Sequence, residues 1–431
     1  MRSRLLLRRA GAAAGIYSSA ALGFAATIVA AHLFSRHTFG LYAIVLAATG
    51  LFQAAADLTV EEALIKFGFR YTTRQDWGRL RRLFQSAIAF KLAGGLIGAA
   101  ALLILSQLSY AIFHKHGLTA PLAVAALIPL AQCLENVPGV ALILHGRYDI
   151  RGFFLFTSML LRLIAVVVAA PHGLTATIAA IAAAQALATA SIGVVGWIAY
   201  RRFPRESARP FGEERRPVFA FVAQSSVATV VTSLTGTLAT LVLGRVASAT
   251  QVGYFRTAMS PAQAFAAISS PARLILLTEQ TRDWERGERE QVYRSIRRYM
   301  LAATGLSAVL LPPLLVFAPQ ILQLVFGAKW VDAANAMRLI VVAGALRMIY
   351  GWTKSFPVSI GRPNLRIWTH GVEALVLIPL TAAFGASWGA TGAAGAVIAS
   401  SVAYCLYWTL LYVRIRREPV PSRRRAEPIV A

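Results

Sequence analysis

Long apolar stretches alternate with clusters of arginine along this chain, and each stretch is close to the roughly 20 residues that a helix needs to cross a bilayer. Inside hydrocarbon every backbone N–H and C=O must find a partner within the protein, so runs of this length fold as helices packed into a bundle. The runs predict an all-α polytopic membrane protein with about 12 spans. The first six lie near 11–33, 40–65, 84–108, 118–142, 152–170 and 174–200; the second six lie near 218–243, 250–274, 297–319, 336–357, 366–385 and 389–413.

An even number of spans puts both termini on one side. If that side is the cytoplasm, 33 of the 43 arginines and lysines face it, against only Arg36, Lys115, Arg245 and Lys329 in the opposite loops. This is the positive-inside asymmetry. The net charge of +25 therefore records topology and requires no nucleic-acid partner. The apolar run from Ala10 to Leu33 exceeds the roughly 7 to 15 residues of a signal-peptide core, so an uncleaved first span is expected. Cys133 and Cys405 fall in spans without metal-ligand spacing and are expected to pack; no metal or cofactor is expected.

A shift of 213 aligns Ser19, Gly23 and Thr27 with Thr232, Gly236 and Thr240, and Phe39-Gly40-Leu41-Tyr42 with Val252-Gly253-Tyr254-Phe255. The offset is near half the length, so the spans are expected to form two six-helix lobes related as parallel repeats. The proline-bearing basic stretch 201–217 divides them, giving lobes 1–208 and 209–415 and a basic cytoplasmic tail 416–431. Between the second and third spans, Trp77, Leu80 and Phe84 stand at helical spacing among arginines. That segment is either a short helix in the headgroup plane or a solvated loop.

Six basic residues fall inside spans. Arg273 and Arg338 lie near helix ends and can snorkel. Arg162, Arg256 and Arg347 are deeper, where an arginine costs about 2.5 to 3.5 kcal/mol on insertion scales, and each needs a polar cavity or an acidic partner. The available carboxylates are Asp57, Glu61, Glu62, Glu135 and Glu373. Structural ion pairs and ion coupling are both open for them. A polar stripe on the seventh span holds Gln224, Ser225, Thr229, Thr232 and Thr240, and Arg256, Ser260 and Gln263 share a face of the eighth. An interior richer in arginine than in carboxylate suits an anionic ligand, because guanidinium binds phosphate oxygens in a bidentate, charge-assisted way.

Signals for covalent chemistry are weak. Gly385-Ala386-Ser387-Trp388-Gly389 matches G-x-S-x-G but sits in a turn between helices, whereas a nucleophile elbow follows a strand. No Walker loop is present. Gly11-x-x-x-Gly15 is expected to permit close helix contact within the fold.

The chain resembles the oligosaccharide flippase family, the polysaccharide-exporting branch of the superfamily that also holds multidrug MATE transporters and lipid II flippases. The resemblance covers nearly the whole chain and rests on Phe39 to Tyr42, Asp57 with Glu62-Ala63-Leu64, Leu243-Gly244-Arg245 with Val252-Gly253-Tyr254, Val325 to Ala334, Gly361 to Asn364, and the turn Gly385 to Gly395. The chain departs from the family where Thr237-Leu238-Ala239-Thr240 replaces a frequently polar or charged position. Arg256 is similar in placement to a cavity arginine of the lipid II branch.

What the resemblance implies is a non-enzymatic, alternating-access flippase of the bacterial inner membrane. It would carry polyprenyl-pyrophosphate-linked (undecaprenyl-type) oligosaccharide units for O-antigen, capsule or exopolysaccharide, working with a polysaccharide polymerase and chain-length or export proteins. Arg256, Arg347 and Arg162 would contact phosphate, Gln53, Gln224, Thr232 and Gln263 would line a polar cavity, and Asp57, Glu135 or Glu373 would couple an ion or form pairs. A MATE-like drug or cation antiporter is the alternative of the same fold, and a polysaccharide polymerase or ligase the alternative of another class.

Overall fold

The computed structural model describes residues 2–56, 60–362 and 364–418, and among them every regular element is helical. The first half holds α1 (Arg2–Leu33), α2 (Arg36–Ala56), α3 (Val60–Thr73), α4 (Trp77–Phe113), α5 (Thr119–Ala125), α6 (Leu127–Gln132), α7 (Asn136–Leu144), α8 (Tyr148–Ala169) and α9 (Leu174–Arg201). The second half holds α10 (Arg215–Val246), α11 (Ala249–Glu285), α12 (Arg289–Val316), α13 (Ala318–Phe326), α14 (Ala334–Ile349), α15 (Phe356–Ser359) and α16 (Leu365–Arg417). Eight stretches of the described residues are long and apolar enough to cross a membrane, and one of these, the 53-residue α16, covers both of the last two expected spans. Residues of the basic tail from 419 onward lie outside the described residues.

Polar residues at the junctions set the helix starts. Asp76 caps α4 by accepting from the Arg79 N–H at 3.1 Å, and Ser248 caps α11 by accepting from the Gln251 N–H at 3.4 Å. Trp77 opens α4, so the segment 77–84 is helical and continuous with the helix of the third span, with Leu80 and Phe84 buried. It is neither a separate interfacial helix nor a loop.

The fourth span is not the continuous helix expected at 118–142. It is three short pieces, α5, α6 and α7, and the prolines explain the breaks. A helical proline lacks an N–H and its ring clashes with the carbonyl four residues back. For Pro129 that residue is Ala125, where α5 ends; for Pro138 it is Leu134, in the gap before α7. The tenth span is interrupted too: α14 stops at Ile349, and a 3-10 turn (Gly351–Lys354) and α15 complete it. In α16 the break falls at Gly389, whose φ of 58° and ψ of −131° lie outside the helical region, within the turn expected at 385–395. A Cβ there would meet Gln251 Oε1 at 2.3 Å, and that oxygen accepts from the Ala390 N–H at 2.8 Å.

The two halves pack alike. α1 lies along α8, with Gly15 against the Gly152 backbone, as α10 lies along α16. Across the lobe boundary α2 packs on α10 and α11. A Cβ on Gly40 would fall 1.7 Å from the Ala249 carbonyl oxygen, and one on Gly253 would fall 3.0 Å from the Arg36 carbonyl oxygen. The 213-residue shift carries Arg36 onto Ala249 and Gly40 onto Gly253, so these are one contact made twice about a pseudo-twofold axis.

Around that axis the end of the molecule remote from the chain termini, here the distal end, is sealed. Trp330 is fully buried, donates to the Ala31 carbonyl at 3.1 Å, and packs edge-on against Phe39 at 5.0 Å. Lys329 donates to the carbonyls of His32 (3.0 Å) and Phe34 (2.7 Å). Arg36 donates to Tyr254 Oη (2.9 Å) and pairs with Asp332 (3.3 Å). Lys115 donates to the Gly244 carbonyl, and Arg245 bonds His114. All four basic residues that the sequence leaves on this side thus bond across the lobe boundary.

Buried apolar residues follow the same division. One large cluster joins both lobes in the distal half, from Phe39 and Ile44 to Leu243, Phe255 and Met337. The opposite, basic end has two separate clusters. One is built from α3, α4, α7, α9 and the start of α10; the other from α12, α15 and the two ends of the α14–α16 region, with Trp352 and Trp408 at its centre.

Candidate functional site

Beneath the distal seal lies a cavity of about 260 Å³. α2 supplies Thr49, Gly50 and Gln53, α6 supplies Gln132, α8 supplies Arg162, α9 supplies Gln185, α10 supplies Thr237 and Thr240, and α11 supplies Arg256. Both lobes therefore contribute, and the polar atoms come from spans that are otherwise apolar. Gln53 and Gln132 bond one another through their amides. The break after α6 matters here, because it leaves Gln132 at the end of a short helix beside the cavity.

Arg162 and Arg256 reach the cavity from opposite lobes. Among the described residues neither guanidinium has an acidic partner or a hydrogen bond. Two like charges facing one cavity repel, on top of the cost of placing each at membrane depth. An anion between them offsets both terms and adds charge-assisted hydrogen bonds.

Glu135 stands one shell behind. It is buried and accepts from Gln185 Nε2 at 2.8 Å, so the cavity meets the amide and not the carboxylate. Further toward the basic end, Arg151 bonds Glu61 (3.0 Å) and Asn136 (2.8 Å), lying over Gly139, where any side chain would occupy its place.

Arg347 does not line this cavity. It lies within the second lobe, paired with Glu373 of α16, 3.3 Å from Ser401 Oγ and 4.7 Å from the Tyr404 ring centroid. Glu373 also bonds His370 at 2.9 Å. The two residues are brought together with each other and not with Arg162. Arg338 satisfies the Leu315 carbonyl at the end of α12 (3.0 Å). Asp57 lies outside the described residues, as do the side chains of Gln224, Thr232 and Gln263.

Of the expected lining, Gln53, Arg162 and Arg256 share one wall-to-wall space. Gln132 and Gln185 escaped the sequence reading. Both are uncharged amides inside apolar spans, as Gln53 is.

Solved structures show what this architecture is. A structure described as an inward-facing multidrug resistance MATE family transporter of the MOP superfamily superposes with a TM-score of 0.73 at 14% identity, covering 92% of this chain and 94% of the other. Lipid II flippase MurJ, in an inward closed conformation, gives 0.75 at 11% identity, covering 95% and 88%. A MOP superfamily transporter from Pyrococcus furiosus, described as having a binding pocket of reverse polarity, gives 0.60 at 14% identity, covering 96% and 95%. This chain shares the fold of these three structures, in a multi-pass membrane protein. The family described as "Polysaccharide biosynthesis protein" matches residues 29–335, and this chain belongs to it. No curated protein matches the sequence.

Proposed function

We propose that this protein is a flippase that moves a polyprenyl-pyrophosphate-linked oligosaccharide from the cytoplasmic to the outer leaflet of a bacterial inner membrane, with the basic end and both termini in the cytoplasm. The observation that carries the reading is the pair Arg162 and Arg256, facing one inter-lobe cavity without acidic partners among the described residues. A pyrophosphate fits between two guanidinium groups, and the amides of Gln53, Gln132 and Gln185 offer donors and acceptors to sugar hydroxyls. The isoprenoid tail stays in lipid. Rocking of one lobe against the other, with the distal contacts holding in one state and parting in the other, exposes the headgroup alternately to each side, and no bond is made or broken. Membership in a polysaccharide biosynthesis family supports a glycan cargo, taken up afterwards by a polymerase and chain-length or export proteins. Glu135 and the Arg347–Glu373–His370 group are the places where ion coupling would act. A cation antiporter would be served by a carboxylate facing the cavity, and no described lining residue carries one.

The test is deletion of the gene with complementation by Arg162→Ala and Arg256→Ala, scoring surface polysaccharide and the leaflet in which lipid-linked units accumulate. Each variant is expected to lose about 1.5 to 3 kcal/mol of headgroup binding, tenfold or more in transport, while melting no lower than the parent because a repulsive charge is gone. Units trapped on the outer leaflet, or full transport by both variants, would remove the proposal.

A further inference from the structure

We propose a second, lipid-facing site: a groove between α12 and α16 at the basic end that holds the phosphate of an anionic phospholipid of the cytoplasmic leaflet. The groove encloses about 460 Å³. Glu290, Arg294, Arg297, Leu301 and Thr304 line it from one face of α12, at the three- and four-residue spacing that stacks side chains on a helix. Tyr412 and Arg416 close it from α16.

The groove is polar at one end and apolar at the other. Arg294, Arg297 and Arg416 surround the end level with the helix termini, and Glu290 offsets one charge by pairing with Arg416 at 3.8 Å. Met300 and Leu301 follow one to two turns deeper, roughly 5 to 10 Å at 1.5 Å per residue, and Leu301 is 64% exposed. A headgroup over acyl chains has the same order of polarity at the same depth.

An independent observation marks a missing hydrogen-bond partner. Tyr293 lines the groove and is 5% exposed, yet its hydroxyl is buried with no hydrogen-bond partner among the described residues. Leaving a buried donor unmet is unfavourable by about 1 to 3 kcal/mol, and a phosphate oxygen would accept from it once the Arg416 side chain, which lies over the Tyr293 ring, swings onto the phosphate. The arginines supply the charge complement, since anionic lipids gather at basic surfaces of the cytoplasmic leaflet. This site does not depend on the cargo of the inter-lobe cavity.

The experiment is native mass spectrometry of the full-length protein released from phosphatidylethanolamine vesicles with and without phosphatidylglycerol, alongside melting in each lipid. Wild type is expected to retain phosphatidylglycerol and to melt higher with it. Arg294→Gln/Arg297→Gln should weaken retention about fivefold per arginine and abolish the melting gain. Tyr293→Phe should reduce retention while leaving stability in phosphatidylethanolamine unchanged or higher, and the exposed control pair Arg201→Gln/Arg202→Gln should retain lipid normally. Equal retention by the groove variants, or equal loss in the control, overturns the site. Displacement of phosphatidylglycerol by equimolar polyprenyl phosphate overturns the assigned occupant.

Discussion

The two ends of the bundle use their charges in opposite ways. At the distal end basic residues are few, and Arg36, Lys115, Arg245 and Lys329 each reach the other lobe. At the basic end arginines are many, yet their ion pairs stay within a lobe or tie the inter-lobe linker to the first lobe. Arg147 pairs with Asp149, Arg151 with Glu61 and Arg362 with Glu418, while Arg74 holds Glu214 of the linker. The apolar cores differ in the same direction, one cluster spanning both lobes against two that are separate from each other, with only Phe211 and the start of α10 joining the first lobe's cluster at the basic end. A few cations at the sparsely charged end thus mark a closed junction better than the abundant ones at the other end.

Trp330→Ala should break this contrast most. It removes a fully buried indole that packs on Phe39 and bonds Ala31, a loss of about 3 to 5 kcal/mol. A cysteine at the cavity position Ala47 should then become reactive to an impermeant thiol reagent from the distal side; an unreactive cysteine would mean the seal lies elsewhere. Next come the paired glycines. Gly40→Ala forces a methyl against backbone and should destabilise closure by about 1 to 3 kcal/mol, and Gly253→Ala by less because its nearest atom is farther away. The same reactivity assay ranks them, and a larger effect at Gly253 would contradict the geometry.

Asp332→Asn should matter little, within about 1 kcal/mol, because the Arg36 pair is exposed on both sides (44% and 62%) and screened by salt. A double-mutant cycle with Arg36→Gln measures it. The smallest effect is expected from pH. Burial first, and then Arg36 for Lys329 and Arg245 for Lys115, hold both lysine pKa values below the ordinary 10.5. The docked lysine releases its proton more readily than the solvated one. Closure should therefore be flat below the depressed values and should strengthen as pH rises from them toward 10.5. Distal reactivity that increases over that interval would reverse the sign, and Lys329→Met should flatten the response.

Much of this was legible in the sequence because it is written in local patterns. The spans follow from apolar run length, the lobe repeat from the 213-residue shift, and the distal cations from their scarcity. The break at Gly389 was marked by a run of small residues. Arg162 and Arg256 stood out as charged groups in apolar surroundings. What escaped depends on which residues meet in space. Arg347 carries the same local signal as Arg256, and only the packing of α14 on α16 reveals that Glu373 already neutralises it. Gln132 reaches the cavity because prolines divide the fourth span, and Lys329-Trp330, a family landmark in the sequence, gains its meaning only from the first span it docks against.

The doubled contact of Gly40 on Ala249 and Gly253 on Arg36 has an evolutionary consequence. Two identical six-helix chains meeting head to head would place a single glycine at both positions, and any substitution there would strike twice. Joined in one polypeptide, the copies are released from each other. Phe39 corresponds to Val252 and Tyr42 to Phe255, while both copies keep the glycine. The same freedom lets one half keep an arginine on its fifth span and the other place one on its second, which is how a cavity on a symmetry axis acquires two dissimilar walls.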